Sequence, residues 1–397
     1  MNNLVVKGFG CALVFLMMTG ITGCNHSPIR NPFKSQKIVL GPLPPLEEQT
    51  TAEIVWRQRT TKGAGDFAKI RPTLENNTIY QADHSGILVA INKANGRKFW
   101  RKITKHPIAS GPVLIQNNLY VGTKNGKVVA FNPQSGEELW QARVPSEVLA
   151  PPQGNQEVIL VNTIDGQLTA LAADSGKILW SYQRVIPSLT LRGGSSPALA
   201  HDQALAGFAN GKLVALEVKT GSMAWERTIT VPRGRSELHR MVDMNSNPII
   251  VGDTVFVASY HGNVAGIDIN SGQVKWQHQL SSYRDMEADD KALYVTDNEH
   301  HVWALDLETG GTLWKQAALS QRKITGPALT DDYLVVGDHG GYVHWLRKSD
   351  GQLLGRYGIG KQILERPVAQ GNLVLVTAVY GEMTALRLPS MAENRSS

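Results

Sequence analysis

One spacing constrains this chain more than any other feature. In residues 111–140, GPVLIQNNLYVGTKNGKVVAFNPQSGEELW, Pro112 is followed 14 residues later by Gly126, ten later by Gly136 and four later by Trp140. The frame returns as Pro72, Gly86, Gly96, Trp100; as Pro152, Gly166, Gly176, Trp180; as Pro197, Gly211, Gly221, Trp225; and as Pro248, Gly262, Gly272, Trp276. A sixth copy has Met286 and His300 before Gly310 and Trp314. The seventh keeps Pro327, Gly341 and Gly351 but carries Gly355 in place of tryptophan, and the eighth has Pro367 and Gly381 and stops near Leu386. Self-similarity at a period of about 40–50 residues marks units that bury their apolar faces by stacking on one another.

Within each copy, short apolar-alternating runs are separated by turn residues. Asn125-Gly126, Asp165-Gly166, Asn210-Gly211 and His261-Gly262 supply the positive φ angles of tight hairpins. A second turn follows, as in Asp306-Leu307-Glu308-Thr309-Gly310, and the tryptophan falls on the strand after it. Each copy therefore reads as a four-stranded antiparallel sheet, the blade of an all-β propeller. The last copy lacks its final strand, and Ile54-Val55-Trp56-Arg57 lacks the three that should precede it. Joining them closes an eight-bladed ring over residues 51–388 and leaves no open sheet edge; a seven-bladed ring would leave one strand set unpaired. A tryptophan at one place in nearly every blade is read as packing between blades, not as an aromatic cage or a stacking platform.

The ends read differently. Lys7, the apolar run Gly8–Met18 and Ile21-Thr22-Gly23-Cys24 fit a secretory signal of residues 1–23 that ends in a lipobox, with Cys24 as the lipidated residue. The apolar run is too short for a permanent span, and an ordinary signal peptide with an incidental cysteine is the alternative. Asn25, not aspartate, follows the cysteine, which under enteric-type sorting points to the outer membrane. Residues 24–50 hold Pro28, Pro32, Pro42, Pro44 and Pro45 and read as an extended, flexible tether. Residues 389–397 read as a disordered tail.

Departures from the repeat are where a specific function sits. With strands A to D numbered from the centre outward, the B–C turns and the connections between blades share one face. The connections from Trp180 to Pro197 and from Trp225 to Pro248 span 17 and 23 residues, against 10 to 16 elsewhere. They are consecutive, so they meet on that face. The first, 181–196, holds Arg184, Arg192, Leu189 and Leu191 and no acid; the two leucines would project together from an extended segment. The second, 226–247, mixes four arginines with Glu226, Glu237 and Asp243. Apolar anchors rimmed by arginine suit a protein interface; two long loops that merely cover each other are the alternative.

Little in the chain speaks for chemistry. Its two cysteines, Cys11 and Cys24, both precede the propeller, so the ring has no thiolate site and no disulfide. No GxSxG or HExxH motif occurs, and Gly193-Gly194 precedes no convincing helix. His84, His261, His300 and His339 fall at B–C turns of different blades, too dispersed for a shared metal, and His300-His301 is a weak metal pair. A net charge of +6 without a basic stripe disfavours nucleic acid. The expectation is a protein without enzyme activity, cofactor or metal.

The Gly-x-x-x-Trp frame resembles the pyrroloquinoline-quinone-type propeller repeat over roughly residues 51–388. Quinoprotein dehydrogenases of that superfamily carry a vicinal disulfide and a calcium site with acidic ligands; this chain cannot form the disulfide, and no positions match the ligands. With its lipoprotein signal and a propeller standing alone, the chain more closely resembles the BamB family, lipoprotein subunits of the outer-membrane β-barrel assembly machinery. That resemblance implies docking on the POTRA domains of BamA through a Leu-x-Leu-Arg loop and a nearby Asp-x-Asp. Leu189-Thr190-Leu191-Arg192 matches the first, and Asp243-Met244-Asn245 matches the second with Asn245 in place of an acid. Both motifs fall inside the two long connections. The resemblance implies a periplasm-facing scaffold, anchored in outer-membrane lipid through Cys24, that aids unfolded outer-membrane clients. A quinoprotein oxidoreductase and an envelope propeller for peptidoglycan or polysaccharide are the alternatives.

Overall fold

The computed structural model describes residues 39–46, 50–64, 69–191 and 193–390. The expected signal peptide 1–23, Cys24 with most of the tether, and residues 391–397 of the expected tail lie outside the described residues. The chain divides into Met1–Val39 and Leu40–Ser397, and the second unit carries the sheets.

Eight sheets, each built on four antiparallel strands, make up this unit. Blade 3 is representative: Gln153–Gly154, Val158–Asn162, Gln167–Ala172 and Ile178–Gln183 pair in that order. Blade 2 carries in addition a two-residue parallel strand, Lys69–Ile70, beside Ile108–Ile115. The expected closure is present. Val368–Gln370, Leu373–Thr377 and Glu382–Arg387 are completed as blade 8 by Glu53–Arg59, with Trp56 opposite Ala385 and Arg57 opposite Thr384.

Burial follows position in the blade. Val158–Asn162 is buried throughout, because its two faces meet the neighbouring blades, whereas the outer strand Ile178–Gln183 is largely exposed. The apolar clusters sit between successive blades. Trp56, Ile79, Val89 and Met383 join blades 8 and 1, and Leu205, Trp225, Val255 and Ile267 join blades 4 and 5.

The Gly-x-x-x-Trp frame has one physical cause. The indole of Trp276 donates to the carbonyl of Leu307 in the next blade (2.8 Å), and Gly310 closes over the same ring. A Cβ at Gly310 would lie 2.4 Å from Trp276, and at Gly136 2.7 Å from Trp100. The tryptophan of one blade therefore requires the glycine of the next, which also takes the left-handed φ of its turn (69° at Gly310).

Gly355 obeys the same logic. The blade beyond it is completed by the N-terminal strand, so no C–D turn glycine follows to receive a tryptophan. Trp345, on the adjacent strand, occupies the space over Gly355 and donates to Thr50 Oγ1 (2.6 Å). The backbone of Thr50 in turn bonds Leu354 (2.9 Å). Part of the expected tether is thus not free of the ring. Gly41 donates its N–H to Gln321 (3.1 Å), the Arg322 guanidinium donates to the Gly41 carbonyl (2.7 Å), and Leu46 packs between blades 6 and 7. Backbone groups and one leucine fasten this stretch, and proline-rich composition does not reveal such contacts.

Candidate protein-docking site

One bond recurs where six of the connections enter their blades. The first residue of the B–C turn donates its N–H to the residue five places before the proline position: Lys124 to Pro107, Ile164 to Glu147, Tyr260 to Asp243, Asn298 to Ser281, His339 to Arg322 and Val379 to Gln362. Turns and connections therefore share a face. In the same register the equivalent of Asp243 in the connection into blade 4 is Arg192, which lies outside the described residues.

The two long connections are laced to each other. The Leu191 N–H donates to Asp243 Oδ2 (2.9 Å), the Gly194 N–H to Asn245 Oδ1, Ser195 Oγ to the Ser246 carbonyl (2.9 Å), and the Ser196 N–H to Asn247 Oδ1 (2.8 Å). Arg184 pairs with Glu226, which Lys212 also holds (2.6 Å). Gly193 belongs to this seam: a Cβ there would lie 2.7 Å from the Asn245 amide. The second connection also holds one helical turn, Glu237–Arg240, whose first turn is capped by the Ser236 hydroxyl accepting from the His239 N–H (3.2 Å).

The side chains singled out from sequence have different surroundings. Leu189 is 41% exposed, with Val185, Val231 and Leu238 as further exposed apolar residues on the two connections. Leu191 does not project beside Leu189; it is half-buried and walls a cavity. Asp243 and Asn245, matched above to a partner-contact motif, are each only 6% exposed and point into the seam. Their oxygens accept loop N–H groups, which orders the first connection from behind. An amide oxygen accepts as a carboxylate does, so Asn245 keeps the brace without a charge. Burial pushes the Asp243 carboxyl up to about 7, against the opposing pull of the Leu191 N–H and the Lys69 charge.

A charged network in the ring centre had no counterpart in the sequence reading. Asp285, at the start of blade 6, pairs with Arg71 and Lys69 (3.6 Å for Lys69) and accepts the Asn247 N–H (2.9 Å). Arg71 also pairs with Glu365 (2.8 Å), Lys69 donates to the Asn245 carbonyl (2.7 Å), and Arg366 pairs with Glu287. The signal that could have found it is charge immediately before the repeat's proline position: Arg71, Asp285 and Arg366.

Among the described residues, Asp297, Glu299 and His301 form a cluster of metal-like spacing. Turn geometry accounts for it, because the Asp297 carboxylate already accepts from the Glu299 N–H (2.9 Å), the His301 N–H (2.8 Å) and the Trp303 indole (2.8 Å). His300 takes a left-handed φ of 65° at the place of the turn glycine and faces Arg284.

Comparison with known proteins agrees with this architecture. A family model described as outer membrane protein assembly factor BamB matches residues 47–114, 84–316 and 305–389. An outer membrane protein assembly factor BamB from Alkalilimnicola ehrlichii is 45% identical over 348 residues, 87% of this chain and 91% of that protein. The crystal structure of BamB from Moraxella catarrhalis superposes with a TM-score of 0.77 at 26% identity, covering 85% of this chain and all of that one (100%). The quinohemoprotein alcohol dehydrogenase of Comamonas testosteroni superposes with a TM-score of 0.68 over 86% of this chain and 78% of its own, at 12% identity, a likeness of fold alone.

Proposed function

This chain belongs to the BamB family of outer membrane protein assembly factors, and from that membership we propose that it works as a scaffold, docking on the POTRA domains of BamA through its two laced connections. Its relatives bear the name of an assembly factor, not of an oxidoreductase. In this reading Cys24 carries the lipid that holds the chain at the periplasmic side of the outer membrane. Unfolded outer-membrane proteins are the clients of the assembled machinery.

The observation that carries the docking reading is the seam itself. Loops on a rigid scaffold are where binding concentrates, and here two of them are joined by side-chain acceptors into one surface that still exposes Val185, Leu189, Val231 and Leu238. Leu189, Leu191 and Arg192 are the contact residues of this reading, and Asp243 and Asn245 hold the contact loop in shape. Anchors at the centre of an interface are worth about 2 kcal/mol or more each. Replacing Leu191 and Arg192 together by alanine should therefore reduce co-purification with BamA to background, while circular dichroism and thermal unfolding remain those of the parent. Co-purification at the parental level would overturn the assignment.

A further inference from the structure

The charged network in the ring centre leaves one cation without a carboxylate. Where the connections into blades 6, 7 and 8 converge, the structure holds a cavity of ≈ 170 Å³, below the about 300–1,000 Å³ of ordinary ligand pockets. Arg284 lines it from the connection into blade 6 and Arg366 from the connection into blade 8, with Lys69, Arg71, Asp285 and Glu365 as its other charged residues. Blade 7 contributes only Gly326, where a Cβ would lie 2.5 Å from the Asp285 carbonyl oxygen. Leu364, 50% exposed, completes the side toward solvent.

The carboxylates of this network are already matched. Asp285 faces Lys69 and Arg71, Glu365 holds Arg71 (2.8 Å), and Glu287 holds Arg366. Arg284 has no ion pair among the described residues. Its guanidinium donates to the Tyr283 hydroxyl (3.1 Å), lies 3.4 Å from His300 Nδ1 and stacks 4.9 Å from the centre of the Tyr283 ring. The Nε of Arg284 is buried without a hydrogen-bond partner, and so is the Nε of Arg366. Burial pulls the Arg284 guanidinium below its ordinary value. A desolvated charge is costly until an opposite charge meets it. Arg192, next in sequence to the lining residue Gly193, is a further cation and brings no acceptor.

We propose that this cavity is an oxyanion site that takes a phosphate group between Arg284 and Arg366. Two unmatched N–H donors on different blades call for an acceptor with oxygens on more than one side, which a phosphate has, and arginine is the side chain whose fork suits it. The group comes either as free phosphate or as the headgroup of a phospholipid. The site uses none of the contact residues of the docking reading and does not depend on it. His300 reports on it. Burial, followed by the charges of Arg284 and Lys323, holds this histidine down to about 4, against the Ile324 backbone and Asp297. A phosphate on Arg284 offsets that field and moves the histidine upward.

The test uses the full-length chain in detergent. Inorganic phosphate, titrated by calorimetry at constant ionic strength against chloride, should bind saturably at a single site. Arg284→Gln removes the unmatched guanidinium, and Leu364→Glu, a change at an exposed position, sets a carboxylate at the cavity; each should weaken binding about tenfold or more. Arg101→Gln, which removes an exposed arginine from the outer strand of blade 1, and Leu364→Met should both bind within about twofold of the parent. Phosphatidylglycerol mixed into the micelles, with diacylglycerol as the phosphate-free control, separates the sources: competition with inorganic phosphate identifies a lipid headgroup, and no competition identifies the free anion. By NMR, the His300 titration should rise with phosphate in the parent and stay in place in Arg284→Gln. No saturable binding, equal binding by Arg284→Gln and the parent, or a His300 titration that bound phosphate leaves unmoved would overturn the proposal. Binding that emerges only in Asp66→Asn would mean that the chain's own carboxylate fills the site, and would overturn it too.

Discussion

Glycine and tryptophan act here as a pair that spans two blades. The sequence displays them as one motif because the glycine happens to precede its own blade's tryptophan by four residues. The physical contact runs instead from each tryptophan to the glycine of the following blade. Two substitutions separate the contact from the backbone effect. Gly310→Ala forces a left-handed alanine, worth about 1–2 kcal/mol, and drives a Cβ to 2.4 Å from Trp276, adding the about 1–3 kcal/mol of overpacking. Gly252→Ala has the same kind of φ, 55°, but nothing within 4 Å, so it carries the backbone cost alone. In urea unfolding, Gly310→Ala should lose about twice as much stability as Gly252→Ala or more; equal losses would mean that the indole yields freely. At this scale the sequence located residues better than it oriented them. Asp243 and Asn245 sit where the motif places them, yet they face inward. Burial of a polar side chain depends on which backbone N–H groups lie opposite it, and spacing does not carry that. Gly355 read as a degenerate copy for a similar reason: its replacement, Trp345, stands ten residues away on another strand.

Strands were the legible elements, because a period of two and hairpin glycines announce them, and blade number followed from counting. Connections were legible in length only. That two of them lie side by side followed from strand direction; that side-chain oxygens clamp them together did not, since Ser, Asn and Asp look alike in a solvated loop and in a seam. The stretch Gly41–Leu46 was read as tether for the converse reason, because it is fastened largely through backbone groups. The clamp makes its own prediction. Asn245→Ala removes the acceptor of the Gly194 N–H, whereas Asn245→Asp keeps one. A single such bond is worth about 0.5–1.5 kcal/mol, too little to unfold the ring but enough to loosen the loop. Hydrogen exchange at the Gly194 amide should quicken roughly tenfold in Asn245→Ala and stay near the parental rate in Asn245→Asp, with the melting temperatures of both within a few degrees of the parent. Equal exchange in all three chains would show that the first connection orders itself without its neighbour.

At the scale of the whole molecule the ring is fastened in two places, outside and at the centre. Outside, the strand Glu53–Arg59 closes blade 8, so the first and last strands of the ring depend on each other. At the centre, Asp285 brings together Lys69 and Arg71, which precede blade 1, Asn247 at the entrance to blade 5, and its own blade 6, while Glu365 before blade 8 holds Arg71 from the far side. Burial alone would raise the Asp285 carboxyl; the charges of Lys69, Arg71 and Arg366, with the Asn247 N–H, outweigh it and hold the group well below the ordinary carboxylate range. A group depressed in the folded state binds fewer protons there than in the unfolded chain, so its contribution is present above the unfolded value near 3.8 and is lost as pH falls. Asp285→Asn leaves the half-buried Lys69 and Arg71 facing a neutral amide, with Glu365 and the Asn245 carbonyl as their remaining partners, so the cost falls at or below the about 3–5 kcal/mol of breaking a fully buried pair on one side. The loss should appear in full at pH 7 and pH 5. It should shrink toward pH 3 and below, where the parent's unfolded chain takes up the proton and the native carboxylate's advantage fades. Urea midpoints of parent and variant at these three pH values measure it directly. A gap that stays constant with pH would mean that the variant's defect is one of shape, and that the central charges do not bind the blades into one ring.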